Sequence, residues 1–278
     1  MANTLSADLV VDVVRDRVLT VLGSKLAFLS AYSTDFTADT IAPKSVVQVA
    51  KATAGATAQT DPSNYESGDT TLSNIAVTPS ELSVSFHLTS AQLQQGFRLQ
   101  KLIDINLRQL AYKIADTALA PVTGAAALTV AAADFGTDDL VTLYAAGKDL
   151  DMKHLVLDGS YVARILPTDR NSFALGESGA YGFDRILENN RWTGAQANVT
   201  GFLCDPQAIA VASGLPTMDD GVANDMQSND VITIDSLGLS VRFSRWISRA
   251  SRAPWASFNV MFGAASGDSS RLKIIKSA

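Results

Sequence analysis

Residues 51–74 constrain the fold of this chain more than any other segment. The stretch reads KATAGATAQTDPSNYESGDTTLSN, and Tyr65 and Leu72 are its only sizeable apolar side chains. Its Ala, Thr, Ser and Gly content buries too little surface to offset the entropy of ordering it on its own body. Structureless loops this long are rare inside a compact domain, and those that occur carry a function or reach elsewhere. Alternating apolar and polar runs flank it at 45–49 and 82–88. Paired, those runs make a two-stranded arm, and a long bare hairpin is marginal in water unless something covers it. A neighbouring copy of the same chain is the expected cover. The segment therefore points to an assembly protein.

The strongest helical pattern follows directly, over residues 89–119. Thr89-Ser90-Ala91-Gln92 fits a capping box. Leu99, Ile103, Leu107, Leu110, Ile114 and Ala118 recur at spacings of three and four, the signature of one buried face. Asp104 and Arg108 stand at the i,i+4 spacing that supports a helix. Pro121 and Gly124 end the run, which predicts a helix on the order of 45 Å at ~1.5 Å per residue.

Upstream, residues 6–22 carry Leu9, Val10, Val13, Val14, Val18, Leu19, Val21 and Leu22 at helical spacing. A polar connector over 33–43 leads to the arm, so the N-terminal segment reads as loosely tied to the rest. Downstream, the pattern alternates. It predicts a helix over 138–150, a buried strand over 154–158 and a helix over 160–166 that stops at Pro167. Residues 168–198 read as loop-rich, with a turn of helix near 183–187. A strand over 199–204 precedes a helix over 206–212 that has Pro206 at its start. An acidic, turn-rich tip over 219–230 precedes strands at 231–234, 239–247, 257–264 and 272–275.

The charge balance narrows the functions. A net charge of −6 argues against a dedicated nucleic-acid binder, which shows a basic face, although a container can tolerate DNA inside it. Charged residues are 18% of the chain, below the roughly 25% of ordinary soluble domains, as expected where surface ends against other protein. The N-terminus lacks a secretory pattern, and no window reaches the ~18 apolar residues of a membrane span. Cys204, the single cysteine, forms no intramolecular disulfide and no cysteine-based metal site. A reducing cytoplasm is the expected home.

Chemistry-bearing patterns are sparse. His87 and His154 are the two histidines, and neither stands at metal-ligand spacing from the other. Gly176-Glu177-Ser178-Gly179-Ala180 misses the nucleophile-elbow pattern at its last position. Gly147-Lys148-Asp149 lacks the glycine spacing and the hydroxyl of a phosphate loop. Asp219-Asp220-Gly221-Val222-Ala223-Asn224-Asp225 departs from the spacing of a calcium loop. No catalytic, cofactor or metal residue is assigned. Arg242, Arg245, Arg249 and Arg252, interleaved with Trp246 and Trp255, form one basic-aromatic patch. Trp and Arg are favoured anchors of protein interfaces.

The order and proportion of these elements resemble the major capsid proteins of tailed bacteriophages, the Johnson or Hong Kong ninety-seven shell fold, across nearly all 278 residues. The run Leu155-Val156-Leu157-Asp158-Gly159-Ser160-Tyr161-Val162-Ala163-Arg164-Ile165-Leu166 is similar to a strand–helix passage common in that family. The resemblance implies an α+β fold. It divides into an N-terminal arm (1–43), an extended E-loop hairpin (44–88) and the spine helix of a peripheral domain (89–124). A mainly axial domain (125–238) and closing strands of both domains (239–278) follow. It implies a non-enzymatic coat protein that forms hexamers and pentamers of an icosahedral head around double-stranded DNA. The head would be assembled in the host cytoplasm, with portal, scaffolding or decoration proteins as partners and no membrane. Tyr65, Glu66, Leu72, Arg98, Lys101, Asp219, Asp220, Arg245, Trp246 and Trp255 are the expected intersubunit contacts. An encapsulin-like compartment shares the fold class, a tail or neck structural protein is a third reading, and a hydrolase would rest on Ser178 and the two histidines.

Overall fold

A computed structural model describes residues 7–42, 44–53, 55, 58–61, 63–64, 68–87, 96–124, 126–130, 137–160, 182–192, 199–217, 226–248 and 253–277. The apolar stripe of the long helix organises it. In α2 (Gly96–Leu119), Leu99, Ile103, Leu107, Leu110, Ile114 and Ala118 are all at most 2% exposed, while Arg98, Lys101 and Arg108 face solvent. The described helix has 24 residues, about 36 Å, and the capping-box residues lie outside the described part. Leu107→Ala is expected to cost about 2–5 kcal/mol as a core truncation, and Arg108→Ala less than about 0.5 kcal/mol. A urea series in which the two variants lose equal stability would refute this helical phase.

The described strands form three sheets. A six-stranded sheet runs β1 (Ser33–Ile41), β9 (Ile209–Pro216), β12 (Ala253–Ser266), β11 (Leu239–Ser248) and β10 (Met226–Ile234), with β4 (Ser80–His87) also paired to β12. A five-stranded sheet runs β5 (Ala126–Val130), β13 (Leu272–Ser277), β8 (Val199–Cys204), β6 (His154–Leu157) and β7 (Arg185–Glu188). The third sheet is the pair β2 (Val47–Thr53) and β3 (Thr71–Val77). The helix α2 packs on β4 and β12 and against α1 (Ala7–Lys25). Phe258 of β12 lies between Phe86 of β4 and Phe243 of β11, with ring centroids 5.7 and 5.2 Å away. The short helix α3 (Thr137–Gly147) touches β8 of the five-stranded sheet.

Two of the chain's crossings between the two larger sheets follow matching paths. From β8 to β9 it passes a 3-10 turn capped by Asp205, whose carboxylate accepts from the Gln207 amide at 2.8 Å. From β12 to β13 it passes a 3-10 turn capped by Asp268, which accepts from the Ser270 amide at 3.1 Å and its hydroxyl at 2.6 Å. Arg271 pairs with both caps, at 3.4 Å to Asp205 and 3.6 Å to Asp268. The two crossings are stapled side by side, and one buried apolar cluster runs through both sheets.

Several expectations are corrected here. The arm is not closed by residues 82–88. Residues 82–87 belong to β4, which pairs with β12, and the partner of β2 is β3, drawn from the end of the polar stretch itself. The hairpin is thus Val47–Val77, narrower than 44–88. The connector 33–43 is mostly β1, parallel to β9. The N-terminal helix is firmly docked: Val14, Val18 and Leu22 are fully buried. Asp104 pairs with Arg17 of α1 through two bonds of 2.6 and 2.5 Å, and no pair with Arg108 is formed. The expected helix over 206–212 is a 3-10 turn followed by β9, whose eight residues are all buried. Burial on both faces erases the periodicity that separates strand from helix. Residues 185–188 form β7 beside β6 instead of a helical turn, with Ile186 and Leu187 buried. Residues 226–230 are strand, and the rest of the expected acidic tip, 219–225, lies outside the described residues.

Candidate intersubunit surfaces

The hairpin is fastened at its root and bare beyond it. Val49 and Val77 form a small buried cluster with Ala210 and Ala212 of β9, flanked by Val47, Ile75 and Ala265. Gly267 allows this close approach, because a Cβ there would meet the Gln207 carbonyl and, at 3.1 Å, the Ile75 side chain. Lys51 reaches Asp268 at 3.7 Å. The Ser270 hydroxyl bond, aided by Lys51 and Arg271, holds the Asp268 carboxyl below the usual carboxylate range. Beyond that, residues 71–74 are exposed, and Leu72 shows 80% of its surface to solvent. The two strands pair only with each other among the described residues. A two-stranded ribbon with two open edges is a template for a further strand.

The other expected contacts separate. Tyr65, Glu66, Asp219 and Asp220 lie outside the described residues, as do Arg249 and Arg252. Arg98 and Lys101 are exposed on α2. Trp246 and Trp255 stand opposite each other across β11 and β12, half-buried, and the His87 ring lies 5.7 Å from Trp255 in the next register position on β4. Arg245 is half-buried on the other face of that sheet end. Arg242 is no surface anchor: it is 7% exposed and donates to the Pro216 carbonyl at 2.6 Å. Burial lowers the pKa of its guanidinium against the opposing pull of Glu81.

The histidines do not form a reacting pair. His87 sits on β4 of one sheet and His154 on β6 of the other, where its Nδ1 lies 3.2 Å from the Ala31 carbonyl. Ser178 lies outside the described residues. Cys204 is fully buried with its Sγ 3.7 Å from the same Ala31 carbonyl, and burial pushes its thiol far up, which makes it inert as a nucleophile. A cleft of about 430 Å³ is lined by Lys25, Tyr112, Glu188, Asn190 and Arg191. Three of its polar side chains, Glu188, Asn190 and Arg191, are already engaged. Arg191 makes two 2.9 Å bonds to Asp116 and stacks 4.9 Å above the Tyr112 ring, Asn190 Oδ1 accepts from the Gly159 amide at 2.7 Å, and Asn190 also bonds Glu188. The pairs Arg17–Asp104 and Arg191–Asp116 join residues far apart in sequence, and no local pattern signals them. No described helix is long and apolar enough to cross a membrane.

No protein-family model matches the chain, and no curated protein matches it. Solved structures do. The virus-like particle from Pyrococcus furiosus aligns with a TM-score of 0.55 at 10% identity, over 95% of this chain and 98% of that one. The capsid of an empty GTA particle aligns at 0.51 and 15% identity, over 92% and 97%. The capsid of the cyanophage P-SCSP1u aligns at 0.50 and 10% identity, over 89% and 86%. The chain therefore has an α+β shell fold. It is the fold of the tailed-phage major capsid proteins, built along almost the whole chain.

Proposed function

We propose that this chain is a structural major capsid protein that self-assembles into the hexamers and pentamers of an icosahedral phage head around double-stranded DNA. The observation that carries the reading is a shell fold bearing a hairpin whose described residues are covered by the body only at the root. A contact of that kind is heterologous, one copy's arm on the next copy's body, and such contacts generate closed rings when the rotation permits. In this reading residues 1–43 act as the N-terminal arm, 47–77 as the E-loop, 89–124 as the spine helix and 239–266 as the returning peripheral strands. The five-stranded sheet, with β13 returning to it, serves as the axial body. Tyr65, Glu66, Leu72, Asp219, Asp220, Arg245, Trp246 and Trp255 serve as contacts between copies, while Arg98 and Lys101, also expected there from the sequence, stand on the solvent face of α2. A portal, a scaffold and decoration proteins are the further partners, the virion is the destination and the host cytoplasm the place of assembly. The role is non-enzymatic.

Expression of the full chain followed by negative-stain microscopy tests this. Closed shells of uniform diameter are expected. Tubes would indicate a tail component, and soluble monomers at all concentrations would overturn the reading. One second reading is an encapsulin-like compartment loaded with protein, which the shared shell fold equally accommodates. The contents of shells purified from the natural source, nucleic acid or a protein cargo, decide between them.

A further inference from the structure

The solvent face of α2 is charged against the sign of the whole chain. Its exposed positions are Arg98, Lys101, Ile105, Arg108, Gln109 and Lys113, four cations with no carboxylate, on a chain of net charge −6. At ~100° per residue these six positions span an arc of roughly 140° opposite the buried stripe. They run about 22 Å along the helix axis. The two carboxylates of the helix, Asp104 and Asp116, are held aside in two-bond pairs with Arg17 and Arg191. The neighbouring face of α1 adds no bias, since its exposed Asp12 and Asp16 are balanced by Arg15 and Lys25.

We propose that this face is a phosphate-binding strip that lies against the backbone of duplex DNA inside the shell. The inference rests on the container reading and names the wall that meets the genome. The surface is convex, carries no aromatic side chain at its exposed positions, and none of its six residues lines the cleft of about 430 Å³. Its one exposed apolar side chain among the described positions is Ile105, flanked on the strip by cations. A row of Arg and Lys on a convex helix suits phosphates, which position a protein without conveying sequence. Four phosphate contacts give weak binding with a steep salt dependence, log K falling with log salt at a slope of about −3.6. Weak single contacts repeated over a shell hold the polymer by number without clamping any one segment.

The test uses full-length protein, kept unassembled by dilution, and a labelled 30-base-pair duplex. Wild type should bind with a salt slope of roughly −3 to −4. Arg108→Gln with Lys113→Gln should reduce that slope by about 2 and weaken binding at low salt about tenfold or more. Lys148→Gln with Lys276→Gln, exposed cations elsewhere, should leave both unchanged. Unaltered binding by the α2 variant overturns the proposal. So does preferential binding of poly-glutamate over DNA, which would assign the strip to an acidic protein segment. Loss of shells with unchanged DNA binding would assign it to a neighbouring copy. Wild-type shell formation is scored separately: its failure refutes the container reading, while a DNA result of the expected form still fixes the strip's chemistry.

Discussion

Replacing residues 54–70 by Asn-Gly is expected to abolish closed shells while moving the melting temperature of the subunit by no more than about 2 °C. Thr53 and Thr71 are the last paired residues of the hairpin, so a two-residue turn of this type closes the shortened ribbon in register. The described residues removed, 55, 58–61, 63–64 and 68–70, are all exposed, and the root cluster of Val49 and Val77 on Ala210 and Ala212 stays intact. No described core residue is lost, and a core-neutral surface change shifts stability little. What disappears is the part of the arm able to lie on another copy. Calorimetry together with electron microscopy checks both halves. An unfolded subunit, or normal shells from the shortened chain, would remove the main support for the capsid reading.

Phe258→Ala should be the most damaging of the core truncations considered, at about 3–5 kcal/mol. The residue is fully buried on β12, which pairs with β4 on one side and β11 on the other. Its ring joins Phe86 to Phe243, so its removal leaves a cavity at the junction of three strands and loses two aromatic contacts. Phe258→Leu should recover most of that loss, because it refills the volume. Val231→Ala, at a site 48% exposed, should cost less than about 1 kcal/mol. Urea unfolding of the three variants gives the comparison. Equal losses for Phe258→Ala and Val231→Ala would mean that β12 is not the centre of the sheet.

The long helix was legible because its signal is local. Leu99, Ile103, Leu107, Leu110, Ile114 and Ala118 declare one face by spacing alone, and each is buried as expected. The hairpin was legible in kind and misread in register. Composition showed that residues 51–74 lack a core, but the polar run Thr71–Asn74 gave no sign that it pairs with Ala50–Thr53. Backbone hydrogen bonds hold that ribbon, and a backbone ladder leaves little trace in side-chain pattern. The candidate contacts were partly legible. Trp246 and Trp255 do stand together across two strands, whereas Arg242, taken for part of the same surface patch, is buried on the Pro216 carbonyl.

The amino-acid sequence by itself determined the elements whose periodicity is carried by consecutive residues: the two long helices, the strands β6, β8, β11 and β13, and the exposed character of the arm. Tertiary structure alone decided how distant segments share the chain. It sent β4 to β12 instead of to the arm, made β9 a strand buried on both faces, and turned the polar segment Ser33–Ile41 into β1 beside β9. It also took Asp104 from Arg108 to Arg17 and bound the two sheet crossings through Arg271. The physical reason is common to these cases. Strand pairing and ion pairing between residues tens to hundreds of positions apart depend on which surfaces the folded core brings together, and no window of neighbouring residues contains that information.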